Sequence, residues 1–381
     1  MRLAFYINYL NHHQVALTDA FYNVLGEEFV CVCTKPVDNS ELKGGFDYSS
    51  RMYCINATDS QVEYDMAISY ARSSEICIFG ADSMNFAVER SKYNPSGLSF
   101  EMGERWFKKG ILNFFSPRFL RWLYNYHRYF KKSNFYRLCS SAFAAKDVNL
   151  FGAYINKCLK WGYFINVDEF EPALKITDSP LRIMWCSRLL SWKHPELPIK
   201  LAARLKRRNC NCLIDMFGSG ERLEKTKKLA RKLNVEDTVN FCGSKPNNVI
   251  RAEMRKHDIF LFTSDRNEGW GVVLNEAMGN GCAVVASDEI GSVPYLIEHQ
   301  VNGMIFKSEN LDSLEDSILY LINNPEWRIK MANNAYYTLN QVWSPTHSVS
   351  NFFQFVQSLE LNISLNIVGP CQYVSNAKSN H

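Results

Sequence analysis

The sequence contains no CxxC pair, although 12 of its 381 residues are cysteine. Paired CxxC motifs are the usual signature of structural zinc sites, so nothing here indicates a zinc-binding domain of that kind. Cys31 with Cys33, and Cys210 with Cys212, have the two-residue spacing of side chains on one face of a strand. We therefore expect reduced thiols packed in the protein core, the usual state of cysteine in cytoplasmic proteins.

The sequence also lacks any uninterrupted run of about 18 apolar residues, the length that a membrane-spanning helix needs. The apolar stretch Leu3–Leu10 is too short to supply the hydrophobic region and cleavage site of a signal peptide. Lys and Arg number 43 against 39 Asp and Glu, a net charge of only +4. So small a surplus argues against a protein whose main partner is nucleic acid. We expect a cytoplasmic protein.

Short apolar strands that alternate with helical segments are abundant. The predicted strands in the second half of the chain are Leu181–Cys186, Cys212–Phe217, Val239–Cys242, Ile259–Thr263 and Ala283–Ala286. Those in the first 90 residues are Leu3–Ile7, Phe29–Cys33 and Ile76–Phe79. Continuous apolar strands, each followed by a helix, indicate parallel sheets covered on both faces. The predicted fold class is α/β with two doubly wound parallel sheets.

The length of the chain is comfortable for two such domains and long for a single hydrophobic core. A stretch with two prolines and four acidic residues, and without apolar periodicity, predicts a linker at 166–180. The expected domains are 1–165 and 181–345, followed by an apolar helix at 346–362 and a loose tail at 363–381. Two open α/β sheets in tandem predict a ligand cleft between the carboxyl ends of their strands, where helix N-termini favour phosphate groups.

One loop in the second domain combines two glycines with two glutamates. The segment Ser264–Met278 reads SDRNEGWGVVLNEAM, follows a predicted strand and opens a helix. Gly269 and Gly271 leave backbone N–H groups exposed for the close approach of a ligand. Glu268 lies in the loop and Glu276 about two turns down the helix, so the two carboxylates could bind different parts of one polyhydroxylated ligand. The alternative is a glycine-rich turn with two solvated glutamates.

The E-x7-E spacing in EGWGVVLNEAM, followed by GNGCAVVASD, resembles the signature of family 4 retaining glycosyltransferases of the GT-B fold. Similar segments cover essentially the whole C-terminal domain. They are Ser187-Arg188-Leu189 with Lys193 for the G-R-L…K motif, Phe217–Gly220 for the G-x-G loop, and Val239–Gly243 with Ser244 and Lys245 beside the nucleobase. The sequence departs from the family pattern where Ser292 replaces a glycine, Tyr295 replaces a glutamate, and Ser187 stands where glycine usually precedes Arg188.

This resemblance implies two Rossmann-like domains facing across a cleft, with helix 346–362 returning to the N-terminal domain. It implies a hexosyltransferase that moves a sugar from a nucleotide diphosphate sugar, most often a UDP-sugar, to a hydroxyl with retention of configuration. No metal or other cofactor is expected.

The resemblance also implies roles for individual residues. Arg188 and Lys193 would neutralise the diphosphate leaving group, and Glu268 would bind the transferred sugar and stabilise positive charge at its anomeric carbon. The implied donor-binding residues are Glu276, Gly269, Trp270, Gly271, Val272, Gly218 and Lys245. Glu276 would accept hydrogen bonds from the ribose hydroxyls, and the glycine loop would act through its backbone. For each cation the alternative is a solvated surface charge.

The first predicted strand is followed by Asn11, His12 and His13, where many family members have a glycine-rich loop. These side chains are candidates to contact acceptor hydroxyls or donor phosphates, with a histidine pKa near neutrality. The alternative is helix capping by Asn11 with solvated histidines. A two-histidine metal site lacks a third ligand at suitable spacing. Similar NxxNHHQ openings occur in bacterial polysaccharide glycosyltransferases, so surface polysaccharide synthesis is the expected setting.

Residues 105–146 contain no Asp or Glu, and their ten Lys and Arg residues are interleaved with aromatic residues. Such a segment suits an anionic membrane surface, and we hypothesise that it docks the protein on the inner face of the cell membrane, beside a lipid-linked acceptor. The alternative is a solvated basic helix face over an aromatic core. Glu101, Gly103 and Glu104 precede this segment and are candidates to line the acceptor side.

Two other functions are compatible with the same architecture. One is a non-catalytic GT-B subunit that binds the donor or a partner transferase, against which the intact candidate site argues. The other is a nucleotide-sugar epimerase, which needs no acceptor and which the E-x7-E loop does not favour.

Overall fold

The structure is a computed structural model that describes residues 1–37, 51–168 and 180–374. The chain forms two compact units, of which one comprises Met1–Asn166 with Trp343–His381 and the other Val167–Val342. Most of the predicted linker at 166–180 lies outside the described residues, as does 375–381 of the predicted tail.

The N-terminal unit is built on one parallel sheet. Its strands are β1 (Leu3–Ile7), β2 (Phe29–Cys33), β3 (Cys54–Asn56), β4 (Ile76–Phe79), β5 (Leu98–Gly103), β6 (Phe135–Cys139) and β7 (Cys158–Lys160). Its helices are α1 (Val15–Leu25), α2 (Gln61–Ser73), α3 (Met84–Tyr93), α4 (Pro117–Arg128) and α5 (Ala144–Asn149). The strand order is β3-β2-β1-β4-β5-β6-β7, so the order reverses between β1 and β4. Every residue of β1, β2 and β4 is buried, as expected for strands covered on both faces.

The C-terminal unit repeats this plan. Its strands are β8 (Leu181–Cys186), β9 (Cys212–Phe217), β10 (Val239–Gly243), β11 (Ile259–Phe262), β12 (Ala283–Ser287) and β13 (Met304–Phe306). Its helices are α6 (Glu196–Arg207), α7 (Leu223–Lys232), α8 (Asn247–Met254), α9 (Val273–Gly279), α10 (Val293–Leu296), α11 (Leu311–Asn323) and α12 (Pro325–Tyr337). The parallel order β10-β9-β8-β11-β12-β13 reverses between β8 and β11. The predicted α/β class with two doubly wound parallel sheets is confirmed.

The last helix, α13 (Pro345–Leu361), packs within the N-terminal unit. Ser344 caps it, since its hydroxyl oxygen accepts a hydrogen bond from the His347 backbone N–H at 3.2 Å, and proline takes the first helical position. The ring of Phe352 lies 5.4 Å from that of Phe21 on α1 and 4.9 Å from that of Phe100 on β5. These aromatic contacts join the last helix to the first helix and to the sheet.

The end of the described chain differs from the predicted loose tail at 363–381. Cys371 is buried, and Tyr373 forms an antiparallel bridge with Leu159 of β7. The Cys371 N–H also donates to the Lys160 carbonyl at 2.8 Å. Because β7 is the edge strand of its sheet, this segment satisfies backbone groups that would otherwise be unpaired.

All twelve cysteines lie in the described residues as free thiols, and eight of them are buried. Cys210 lies before β9 and not beside Cys212 in the strand, which corrects the expected pairing of these two thiols on one face. In the part of the chain that the structure describes, no helix combines the length and hydropathy needed to cross a bilayer.

Candidate functional site

Four adjacent strands of the C-terminal unit carry the predicted donor-side residues on the loops after their carboxyl ends. Arg188 and Lys193 follow β8, Gly218 follows β9, Lys245 follows β10, and 268–276 follow β11. In open parallel sheets, ligands bind outside the carboxyl ends of the strands, at the point where the strand order reverses. Here that point lies between β8 and β11.

Lys193 and Glu268 form an ion pair that spans this point of reversal. Their side chains are only 9% and 12% exposed. Burial lowers the pKa of Lys193, while the Glu268 carboxylate opposes that shift. The Thr263 hydroxyl holds the same loop, because it donates to the Lys193 carbonyl at 2.6 Å and accepts from the Trp185 indole at 2.9 Å. The ion pair is therefore fixed in position and largely excluded from solvent.

His194, which the sequence reasoning did not single out, adds a further cation to the loop that carries Lys193. Its Nε2 lies 3.2 Å from Asp265 Oδ2, and its Nδ1 lies 3.1 Å from Glu196 Oε1. Burial alone would lower the pKa of His194, but these two carboxylates raise it to about 9. The imidazole is thus charged at neutral pH. Its position directly after Lys193 was the only signal in the sequence.

Arg188 is exposed on the loop that follows β8. Its guanidinium adds to the burial of Lys193 in lowering the pKa of that lysine. Arg188, Lys193 and His194 therefore bring three positive charges to the loop after one strand.

Gly218 lets the loops after β8 and β9 approach each other. Its φ is +130°, and a Cβ there would lie 1.9 Å from the Ser187 carbonyl oxygen. The Leu189 N–H donates to the Ser219 carbonyl at 2.9 Å, which ties the same two loops together. A side chain at this position would force them apart.

The glycine loop after β11 is shaped by packing beneath it. Gly271 has a φ of +84°, and a Cβ there would lie 2.5 Å from the Phe262 ring. The Trp270 side chain is fully buried, and its Nε1 donates to Asn275 Oδ1 at 2.9 Å. Trp270 can therefore reach a ligand only through its backbone. Val272, at the N-cap position of α9, is half-buried.

Glu276 is buried on α9 and faces the start of α8. Its Oε1 accepts a hydrogen bond from Asn247 Nδ2 at 2.6 Å. Lys245 lies exposed two residues before Asn247. The two candidate glutamates thus have partners from different segments. Glu268 is paired with Lys193 from the loop after β8, and Glu276 is bound by Asn247 at the start of α8. Asn247 escaped the sequence reasoning, since an asparagine at a helix start carries no distinctive pattern.

The N-terminal unit contains a cavity of about 840 Å³ at the carboxyl ends of β1, β4, β5 and β6. Asn11 and His13 line it. The ring of His12 lies against that of His13, with 3.6 Å between the ring centroids and 49° between the ring planes. Asn11 Oδ1 accepts from the His13 N–H at 2.9 Å in the turn before α1, whose N-cap residue is Gln14. Burial and the neighbouring His12 lower the pKa of His13 to about 3, so the expectation of a near-neutral pKa is wrong for this residue.

Segment 105–146 does not form one continuous basic aromatic surface. Many of its aromatic side chains belong to the core, namely Phe107, Phe119, Trp122, Tyr126, Phe130 and Phe135. Several of its cations line the cavity, namely Arg105, Lys108, Arg118, Arg121 and Arg137. Glu101, Gly103 and Glu104 also line it. The aromatic core of the alternative interpretation is therefore present, and part of the basic charge faces a cavity.

Residues 166–338 match the glycosyl transferases group 1 family. This match covers the C-terminal unit, which carries the donor-side residues.

Among curated relatives, the chain is 30% identical over 153 residues to an uncharacterized glycosyltransferase of Haemophilus influenzae, across 40% of this chain and 42% of that protein. It is 26% identical over 194 residues to the poly(glycerol-phosphate) alpha-glucosyltransferase of Bacillus subtilis, across 51% of this chain and 28% of the relative. It is 32% identical over 156 residues to the amylovoran biosynthesis glycosyltransferase AmsK of Erwinia amylovora, across 39% of this chain and 38% of the relative. The matched segments thus span less than half the length of these relatives.

Two solved structures resemble the chain over nearly its whole length. HepE of Anabaena in complex with UDP has a TM-score of 0.70 at 17% identity, covering 95% of this chain and all of that one. The apo form of the lipopolysaccharide outer core galactosyltransferase WaaB has a TM-score of 0.70 at 16% identity, covering 94% and 100%. At such low identity these likenesses show the fold alone.

Proposed function

We propose that the protein is a retaining glycosyltransferase that moves a sugar from a nucleotide diphosphate sugar, with a UDP-sugar favoured, to a hydroxyl of a glycan or lipid-linked glycan. The observation that carries this proposal is the buried Lys193–Glu268 pair at the strand-order reversal of the C-terminal sheet. The names of the relatives support it, because they include an alpha-glucosyltransferase and an enzyme of amylovoran biosynthesis. We place its action in surface polysaccharide synthesis.

In this reaction the bond between the anomeric carbon and the diphosphate oxygen breaks, and negative charge develops on the diphosphate. Arg188 and Lys193 would supply positive charge for that leaving group, and stabilising this negative charge is the largest electrostatic demand of the step. His194 would hold the loop of Lys193 in place through its contacts with Asp265 and Glu196. The acceptor oxygen forms the new bond on the same face of the sugar, and its proton passes to the departing diphosphate. These two cations would take the place of a divalent metal, and we expect transfer without one.

The two glutamates divide the donor between them. Glu268 would bind hydroxyls of the transferred sugar and stabilise positive charge at its anomeric carbon. On donor binding, the Lys193 ammonium would pair with a phosphate oxygen and give up its contact with the Glu268 carboxylate. Glu276, oriented by Asn247, would accept hydrogen bonds from the ribose hydroxyls, with Lys245 beside the base. The backbone of 269–272 would contact the sugar and the diphosphate.

The acceptor would bind to the N-terminal unit, in the cavity that Asn11 and His13 line. A lipid-linked acceptor would bring the enzyme to the cytoplasmic face of the membrane. Exposed apolar side chains of segment 105–146 support peripheral docking there, because Leu112, Phe115 and Tyr124 are 74%, 72% and 62% exposed.

The donor site is tested by the binding of UDP, GDP and their sugars to the full chain, measured by thermal shift. A nucleotide at about 100 times its dissociation constant should stabilise the protein by about 2.7 kcal/mol. Glu276→Ala should abolish this stabilisation, whereas Glu236→Ala, at an exposed position of the same unit, should retain it. If no nucleotide stabilises the wild-type protein, the proposal fails. If a nucleotide binds but its sugar is neither transferred nor hydrolysed, a non-catalytic subunit becomes the better description.

Membrane docking is tested by co-sedimentation with anionic vesicles. Replacing Leu112 and Phe115 by serine should reduce binding strongly, whereas Leu150→Ser, which alters a residue 67% exposed elsewhere in the unit, should not. Equal binding by both variants would contradict docking through Leu112 and Phe115.

A further inference from the structure

The cavity of the N-terminal unit is lined by polar groups whose hydrogen-bonding capacity is unused. Four of its lining side chains have a buried polar atom without a partner in the described residues: Nε1 of Trp106, Nε of Arg137, Oγ of Ser140 and Nδ1 of His13. The first two can only donate, and the serine hydroxyl can also donate. Buried donors without partners are rare in folded proteins and need an explanation, for which a ligand with several acceptor atoms is sufficient.

One buried network fixes Arg137 in the wall of this cavity. Its Nη1 lies 2.5 Å from Glu101 Oε1. The same carboxylate accepts hydrogen bonds from Trp122 Nε1 and from the Tyr154 hydroxyl, both at 2.7 Å. Gly103 makes room for the guanidinium, since a Cβ there would lie 2.6 Å from Arg137 Nη2. The Glu101 carboxylate is thus paired and hydrogen-bonded within the protein, while Nε of Arg137 has no acceptor among the described residues.

The other carboxylates that line the cavity also have cationic partners. Glu104 is paired with Lys108, and Asp82 lies 2.9 Å from Lys35. These acids therefore do not neutralise the remaining arginines of the cavity.

Arg118 and Arg121 lack an acidic partner within 4 Å in the described part of the chain. Arg121 donates to the neutral Asn85 Oδ1 at 3.0 Å, and the Arg118 guanidinium lies 6.0 Å from the Trp106 ring centre. The cavity therefore combines a surplus of positive charge with a surplus of hydrogen-bond donors. Guanidinium groups of this kind bind phosphate and carboxylate oxygens in pairs of charge-assisted hydrogen bonds.

We propose that this cavity binds a phosphate ester group, and, given the proposed function, that the acceptor is a phosphate-bearing glycan whose phosphate lies on Arg118 and Arg121. The number of donors favours phosphate over carboxylate. The two guanidinium groups of Arg118 and Arg121 offer more N–H groups than the four lone-pair positions of a carboxylate can accept. A volume of about 840 Å³ is ample for a phosphorylated sugar unit.

The test measures the binding of three matched sugars, namely glucose 6-phosphate, glucuronate and glucose, by calorimetry on the full chain. UDP is present at saturation, so that the phosphate probe does not occupy the C-terminal unit. We expect glucose 6-phosphate to bind more tightly than glucuronate, glucose not to bind measurably, and affinity to fall as salt rises. Arg118→Gln and Arg121→Gln should each weaken binding of the phosphate by about tenfold.

Arg128→Gln is the matched control, because it removes the same charge from the same helix at a position that does not line the cavity. It should leave binding of glucose 6-phosphate unchanged. An equal loss in this control would mean that only the general positive charge of the segment matters, and would overturn the proposal. Equal binding of the three sugars, tighter binding of glucuronate, or no binding at all would also overturn it.

UDP binding by the same variants separates this inference from the proposed function. Arg118→Gln and Arg121→Gln should bind UDP as the wild-type protein does, since neither residue belongs to the C-terminal unit. Absence of UDP binding in every variant would contradict the proposed function, whereas the effect of the two substitutions on phosphate binding could still be measured.

A last experiment measures binding to vesicles of phosphatidylcholine with and without phosphatidylglycerol. If the two substitutions abolish vesicle binding but not that of glucose 6-phosphate, the arginines serve the membrane surface and the proposal is wrong.

Discussion

At the scale of single residues, the Lys193–Glu268 pair combines charge with burial. Removing the lysine leaves a carboxylate that is only 12% exposed without its cation. Removing one partner of a buried ion pair typically lowers the free energy of unfolding by about 3–5 kcal/mol. We therefore expect Lys193→Met to lower the free energy of unfolding by about 3 kcal/mol, measured by urea denaturation, and to abolish sugar transfer.

Two controls make this result specific. Adding Glu268→Gln to Lys193→Met should recover most of the lost stability, because no buried charge then remains. Lys227→Met breaks the more exposed Lys227–Glu224 pair and should cost no more than about 1 kcal/mol. Equal losses in Lys193→Met and Lys227→Met would contradict the view that burial decides the strength of the first pair.

His194 gives the stability of the protein a distinctive dependence on pH. Its pKa is about 9 in the folded protein, because Asp265 and Glu196 outweigh the effect of burial, against about 6.5 in an unfolded chain. The stabilisation from its charge is therefore complete below pH 6.5 and is lost as the pH rises through 9. We expect wild type to exceed His194→Gln in free energy of unfolding by roughly 2 kcal/mol at neutral pH. That difference should shrink towards zero near pH 10, and a constant difference would contradict the assignment.

Sequence reasoning identified Lys193 and Glu268 as candidates but could not show that they are in contact. They lie 75 residues apart, and they meet only because β8 and β11 are neighbours in the sheet. The roles of His194 and Asn247 were out of reach for the same reason, since each depends on a partner from another loop. The lowered pKa of His13 likewise follows from burial, which spacing along the chain does not reveal.

At the scale of elements, the close approach of two loops makes Gly218 sensitive to substitution. An added Cβ would lie 1.9 Å from a backbone oxygen, which no side-chain movement can relieve. Gly218→Ala should therefore lower the free energy of unfolding by roughly 2 kcal/mol or more, and weaken nucleotide binding. Gly243→Ala is the matched control, since its φ is +68° but nothing lies within 4 Å of the added Cβ. It should cost about 1 kcal/mol from the backbone conformation alone, and equal losses would contradict the importance of the loop contact.

Strands made of continuous apolar runs were predictable from the sequence, and strands with polar residues were predicted only in part. β1, β2 and β4 are continuous apolar runs and have the predicted bounds. β8 and β9 also have the predicted bounds, although each contains one charged residue, Arg182 and Asp215. β5 and β6, which contain Glu101 and Arg137, were not predicted. Those two residues form the buried ion pair in the wall of the N-terminal cavity. The charged residues of β5 and β6 are thus among those that shape a candidate binding site.

At the scale of the whole molecule, each compact unit has a hydrophobic core of its own. One core contains Ala4, Phe79 and Trp122, and the other contains Trp185, Leu261 and Val285. The predicted UDP contacts all belong to the second unit. A ligand stabilises only the states to which it binds, so UDP should raise the free energy of opening of the C-terminal unit by about 2.7 kcal/mol at 100 times its dissociation constant.

Hydrogen exchange measured by mass spectrometry resolves this effect along the chain. UDP should slow exchange in β8, β9 and β11, whose amides become exposed when the C-terminal unit opens, and should leave β1, β2 and β4 unchanged. Glu276→Ala should remove the protection without altering exchange in the N-terminal strands. Equal protection of both sets of strands would mean that the two units open together. Protection confined to the N-terminal strands would place the nucleotide in the other unit and contradict the assignment of the donor site.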